Sequence, residues 1–460
     1  MIDNLIHSKK IQTLLDSSSI GTVAKQLISR SSLNFAIQLC GVVAIFCLNL
    51  LLVRLLGIEE FGIYTYIQVW LVLLATLASL GFSTALLRFV SAYNINEEWG
   101  KLRGLLIRSD QIVLAASIVT GLLWLMVYQV FFPAQLNDNW AAFIYGCCAL
   151  PLFALMGLRQ STLLAFHNVL HANMPVAILR PLILGSLVLG TYFFAREVDA
   201  SRAMSLFALT ILLCFCIQQY WLHRALPTHT RASAPEYATQ KWISVALPML
   251  FITGMHIILS RTDIIMIGFY LDTTQAGIYS IAVQCSLLIS IGLTSINAVF
   301  APICSELYSQ NRLADLQRNL TFASLGIFLF TLISALILAL NVEFVLSLFG
   351  REVMQADTSL KILLVGQVIN ALAGPVGYLL NMTGNHNATA FILFLSAVVN
   401  IVLNAFLIPI WGIRGAAAAT AITNAFWNIA MVLYVRRKLN FDPTILSIRA
   451  FVKPQLGALT

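Results

Sequence analysis

Charge is what this chain has least of. Only 10% of its 460 residues are Asp, Glu, Lys or Arg, while 59% are hydrophobic. A soluble domain carries about 25% charged residues, so a water-facing globule is excluded. Long polar stretches are missing as well. Apolar runs recur from end to end, each as long as the roughly 20 residues that cross a hydrocarbon core of about 30 Å as helix. The expectation is an all-α, polytopic membrane protein. Catalytic signatures are also absent: there is no P-loop, HExxH, GxSxG or Rossmann fingerprint, and no carboxylate pair in an external loop. The eight cysteines sit mostly inside apolar runs, with neither metal-ligand spacing nor a loop framework for disulfides. They read as small apolar residues, and no metal or cofactor is expected. Function is therefore expected to lie in polar residues inside the spans rather than in a catalytic site.

What is present begins with about twelve apolar spans. The first six read as 33–54, 62–87, 105–131, 140–166, 174–195 and 203–222. The second six read as 242–269, 277–303, 320–340, 359–382, 388–410 and 415–435. Residues 33–222 would form an N-terminal six-helix bundle and 242–435 a C-terminal one. A linker at 223–241 joins them, flanked by a leader at 1–32 and a tail at 436–460. The net charge of +8 follows loop sidedness: Arg88 with 97–108, the linker, 312–318 and Arg436-Arg437-Lys438 fall on one side. That is the positive-inside pattern. It puts both termini in the cytoplasm and offers no polyanion-binding face, so no nucleic acid is expected. The leader lacks the apolar core of a signal peptide.

One unit is written twice. Gly62-Ile63-Tyr64 returns as Gly277-Ile278-Tyr279, an offset of 277 − 62 = 215 residues. At the same offset Tyr93 meets Tyr308, Arg103 meets Arg318 and His171 meets His386. Six spans return the chain to its starting side, so the two units should be parallel repeats about an axis along the membrane normal. The working site is then expected at their interface, near mid-membrane.

Polar residues inside spans are costly and usually face a bundle interior or a watery cavity. Arg30, Asn34, Gln38 and Gly41 form one helical stripe on span one; Thr253, His256, Ser260 and Asp263 form another on span seven. At the repeat offset Gln38 falls on Thr253 and Gly41 on His256, so both repeats present a polar line on equivalent faces. Interhelical hydrogen bonding would use the same residues. Arg159 and Arg180 flank the loop at 167–173 about ten residues away on either side, at similar depth. Two guanidinium forks there suit a pyrophosphate, although snorkelling to the interface is open to both. Arg261 and Asp263, two residues apart, do not face one another on a helix. Each therefore needs a partner elsewhere. Asp263 with His256 could carry a coupling proton, or Asp263 could fix the end of span seven. Asn34, Gln38, Arg159, Arg180, Thr253, His256 and Arg261 are the candidate substrate-binding residues, with Asp263 and His256 the candidates for coupling.

The segments LVRLLGIEEFGIYTY and SLGFSTALLRFVSAY, then RTDIIMIGFYLDTTQAGIYSIA and IPIWGIRGAAAAT (408–420), resemble polysaccharide-export flippases. These are the O-antigen flippases of the multidrug/oligosaccharidyl-lipid/polysaccharide superfamily. The resemblance implies two six-helix bundles around a central, often cationic cavity, a MATE-like fold. It also implies passage of an undecaprenyl-pyrophosphate-linked oligosaccharide from the inner to the outer leaflet of a bacterial plasma membrane. Membrane lipids and other polysaccharide assembly proteins would be its partners. A multidrug cation antiporter of the same superfamily is the alternative, but such proteins usually hold an acid deep in the first bundle, and span one has none. A polysaccharide polymerase would need a long external loop.

Overall fold

The computed structural model describes residues 19–131, 133–195 and 197–445, with side chains from Ala36 onward except 131–139, 195 and 298. Most of the leader, the far end of the tail and the side chain of Asn34 lie outside the described residues.

The first half runs α1 (Ser19–Leu56), α2 (Ile58–Ala78), α3 (Phe82–Ile95), α4 (Trp99–Phe131), α5 (Pro133–Ala165) and α6 (Val169–Met174). A π-helical turn, Pro175–Leu179, leads into α7 (Arg180–Ala195) and α8 (Ala200–Ala225). After α9 (Thr228–Ala232) the second half runs α10 (Thr239–Tyr270), α11 (Thr273–Ile289), α12 (Ile291–Ser309), α13 (Leu313–Leu340) and α14 (Val342–Phe349). A 3-10 turn, Glu352–Ala356, then precedes α15 (Asp357–Leu372), α16 (Val376–Met382), α17 (His386–Trp411) and α18 (Ile413–Lys438). Among the described residues every regular element is helical. Among the described residues eleven helices are long and apolar enough to cross a membrane, or twelve if α15 and α16, bent by 42°, count as one span.

Three spans differ from expectation, each where the backbone forces it. The span expected at 62–87 is instead α2, which starts at Ile58. It stops before Leu80 (φ 46) and Gly81 (φ 77), and α3 follows. A Cβ at Gly81 would collide with the Ala246 carbonyl and the Leu250 amide of α10. The break therefore brings α3 onto the other half. The span at 277–303 divides at Ser290 into α11 and α12. The span at 359–382 bends at Gly374 (φ 69) and Pro375. Elsewhere boundaries follow side-chain chemistry. Asp199 and Asp272 cap α8 and α11 by accepting from Arg202 N (2.9 Å) and Gln275 N (2.7 Å), donors that a helix start leaves unpaired.

In the first half α5 packs on α2, α3, α4 and α8; in the second α18 packs on α15 and α17, and α17 on α10. Across the halves α2 meets α10 and α11, α3 meets α10, and α1 touches α12 and α14. Another close backbone approach lies at the repeat signature itself. A Cβ at Gly277 would come within 2.7 Å of the Gly62 Cα, and one at Gly62 would strike the Thr273 backbone. Glycines allow such backbone contact between membrane helices. Nearby, Asn49 donates to Gln284 (2.6 Å), while Arg54 donates to the carbonyls of Leu348 (2.7 Å) and Ser347 (3.2 Å). At the opposite end Trp242 Nε1 donates to the Tyr93 hydroxyl (3.0 Å).

The linker is fastened to the first half. Arg103 donates to the carbonyls of Arg231 (2.7 Å) and Ser233 (2.8 Å), Glu236 N to Gly100 O (2.9 Å), and Arg108 lies over the Tyr237 ring.

Candidate functional site

The two halves have diverged in what fills them. Aromatic rings occupy the first: Tyr64 against Phe207, Trp70 against Trp124, and Phe143 against both Trp124 and Tyr128. The second encloses a cavity of about 520 Å³ among α10, α11, α12, α15, α16, α17 and α18. Its walls are rich in asparagine, and the bend at Gly374-Pro375 forms one side of it.

Asp263 reaches this cavity and is 3% exposed. One carboxylate oxygen accepts from the Tyr279 hydroxyl (2.9 Å) and Thr420 Oγ1 (3.3 Å), the other from Ile264 N (2.9 Å). Tyr279 is the tyrosine of the second Gly-Ile-Tyr. Its counterpart Tyr64 is equally buried and meets Gln68 (2.5 Å), with the Arg180 charge nearby. Equivalent tyrosines thus sit beside an acid in one half and a cation in the other.

Arg180 follows directly on the π-helical turn and is half-buried. The charge of Arg261, from α10 of the other half, acts on it, as do Tyr64 and Cys214. Asp263 acts on Arg261 through space although the two do not face each other on the helix. Among the described residues neither Arg180 nor Arg261 makes a hydrogen bond or an ion pair. Two unpaired guanidinium groups, one from each half, therefore share the seam.

Arg159 stands differently. It is 7% exposed, makes a bidentate pair with Asp110 of α4 (2.9 and 2.7 Å), and lies over the Phe215 ring. Asp110 was not among the expected intramembrane acids, because it sits near the charged end of its span. Arg159 is thus held by an acid, whereas Arg180 only feels the charges around it, Arg261 among them.

Of the span-seven stripe, His256 and Ser260 line the cavity with Asp263, while Thr253 lines a smaller recess at the α2–α3 break beside Thr76, Ser79 and Ser83. Thr253 and His256 are exposed, as is Gln38 on α1. Asn34 lies outside the described side chains. Sequence reasoning passed over the amides Asn297, Gln367, Asn370, Asn381, Asn400 and Asn424. They come from five helices, and only Asn297 falls on a polar line along one span, with Ser286, Ser290 and Thr294, a pattern common in helix packing.

The fold resembles an inward-facing multidrug-resistance MATE transporter, with a TM-score of 0.70 at 14% identity over 90% of this chain and 98% of that one. It also resembles the inward-closed lipid II flippase MurJ, with a TM-score of 0.69 at 16% identity over 89% and 87%. In sequence, the chain is 23% identical to the probable flippase AglR of Haloferax volcanii, over 85% of this chain and 80% of that protein. The MatE family matches residues 245–406. The family matches and the flippase relative, together with this fold, make the chain a flippase of the multidrug/oligosaccharidyl-lipid/polysaccharide superfamily. Within it, the chain belongs to the polysaccharide biosynthesis protein family, which matches residues 25–308.

Proposed function

We propose that the chain moves an undecaprenyl-pyrophosphate-linked oligosaccharide, an O-antigen or other surface-polysaccharide repeat unit, across a bacterial plasma membrane. Transport runs from the cytoplasmic to the outer leaflet, with both termini cytoplasmic. The observation that carries this reading is the pair Arg180 and Arg261, unpaired and contributed by opposite halves. A diphosphate bridging them would relieve their mutual repulsion and supply the acceptors both lack. Because the groups belong to different halves, cargo is held only while the halves are apposed. Rocking of 33–222 against 242–435 would assemble the clamp and take it apart, which is alternating access. Asp263 and His256, next to Arg261 on α10, would carry the coupling ion.

A cation antiporter shares the fold, but such proteins usually hold an acid deep in the first bundle. In the first half here Asp110 is committed to Arg159, and the group near the seam is the Arg180 guanidinium.

The test is translocation in proteoliposomes by Arg180→Gln and Arg261→Gln, singly and together. Losing charge-assisted hydrogen bonds of about 1.5 kcal/mol at each site predicts a fall of about a hundredfold for the pair. Unchanged translocation by the double variant would overturn the clamp.

A further inference from the structure

The cavity inside the second half has a chemistry that the seam lacks. Among its lining residues there is no Lys or Arg, and its one carboxylate, Asp263, has every donor it needs from Tyr279, Thr420 and Ile264. A phosphate would find no counter-charge there. What the walls offer is amide. Asn297 of α12 is 2% exposed, and its Oδ1 has no partner. Gln367 of α15 and Asn381 of α16 also face the cavity, and among the described residues neither side chain makes a hydrogen bond. Three free amides from three helices thus converge on one space.

Other amides in the wall are already spoken for. Asn370 accepts from Asn428 (2.9 Å), Asn400 accepts from Asn404 (3.0 Å), and Trp427 Nε1 donates to Asn424 (3.2 Å). These bonds fix the wall and hold the Trp427 ring in place, with Tyr378 also in the lining.

We propose that this cavity is the saccharide compartment of the transport site, taking an uncharged sugar of the cargo head group. A primary amide presents two donors and an acceptor with two lone pairs, which matches hydroxyls that both give and accept. Aromatic rings supply apolar faces for the C–H side of a pyranose. At about 520 Å³ the space falls in the range of small-ligand sites. Its connection to the seam is short. His256, exposed at the cavity edge, is five residues from Arg261 on α10, about 7.5 Å along the helix axis. A diphosphate at the seam and its first sugars in the cavity therefore belong to one molecule, and this inference rests on the diphosphate reading above.

The experiment uses the full chain in nanodiscs with two probes: undecaprenyl diphosphate, and the same carrier bearing a neutral trisaccharide. Gln367→Leu and Asn381→Leu should each weaken binding of the trisaccharide carrier about tenfold while leaving the sugar-free carrier unchanged. Asn297→Leu should do the same without lowering the melting temperature, since it removes an orphaned amide. Arg180→Gln should weaken both carriers. Variants that bind the trisaccharide carrier as the wild type does overturn the saccharide compartment alone, as does an equal loss for both carriers. A wild-type chain that binds neither carrier overturns the diphosphate reading and this one with it.

Discussion

Arg159 and Arg180 looked alike in sequence, two arginines at similar depth on successive spans. Their surroundings separate them. Arg159 is held by Asp110 through two charge-assisted bonds, whereas Arg180 has Tyr64, Cys214 and the like charge of Arg261 as neighbours and no acid among them. Asp110→Ala should leave Arg159 uncompensated and cost about 2 kcal/mol. That is below the roughly 3–5 typical of a fully buried pair, because the Asp110 side chain is 32% exposed. Adding Arg159→Met should recover most of the loss, and thermal melting in detergent reads both. Asp263 makes a different prediction. Asn in its place keeps the volume but cannot ionise, so Asp263→Asn should make transport independent of ΔpH while the chain still inserts. Flux measured with and without an imposed gradient decides it, and a variant that still responds to ΔpH would leave Asp263 a structural role. The identities of these residues were legible from sequence. Their partners were not, since Asp110 and Arg159 are 49 positions apart and nothing local joins them.

Element by element, the apolar runs located almost every helix, because length and hydropathy are local properties. The breaks were not legible from those properties. Leu80-Gly81 interrupts a sequence that reads as one continuous span, and what ends α2 there is contact with α10. A glycine at φ 77 whose missing Cβ faces the Ala246 carbonyl has no room for any side chain. Gly81→Ala should therefore separate α3 from α10 and sharply lower the yield of folded protein, judged by size-exclusion profile. Gly57→Ala tests φ alone, because nothing lies within 4 Å of a Cβ at that position. It should cost about 1–3 kcal/mol, because φ 80 with ψ 167 lies in a region almost confined to glycine. The second-half cavity was illegible for another reason. Asparagines scattered over several spans look like ordinary interhelical glue until the bend at Gly374 shows that they surround open space.

For the whole molecule, the repeat was the most informative feature of the sequence, and it located the seam. At one end the halves are tied by Arg54 to the Leu348 and Ser347 carbonyls and by Asn49 to Gln284, at the other by Tyr93 with Trp242. If the halves rock, the Arg54 contacts must break in each cycle. Joining Arg54→Cys to Leu348→Cys with a short, reducible thiol-specific crosslinker should then stop transport, and reductant should restore it; turnover before and after reduction reads the effect. The linker carries Pro227 and Pro235, and Arg103, Glu236 and Tyr237 bind it to α4. It therefore travels with the first half, and freedom between the halves begins only at Ala238, where α10 starts.

Gly62 and Gly277 occupy the same place in successive repeats, and they touch each other. Only a residue on a two-fold axis can meet its own copy. Contact between a position and its duplicate is the trace such an axis leaves once two subunits become one chain. The seam would then have begun as the self-complementary face of a homodimer, in which one glycine served both sides. In the fused chain each half has since been free to change alone. That freedom let one half acquire a cation beside its tyrosine and the other an acid and a hollow, an asymmetry no symmetric dimer could have held.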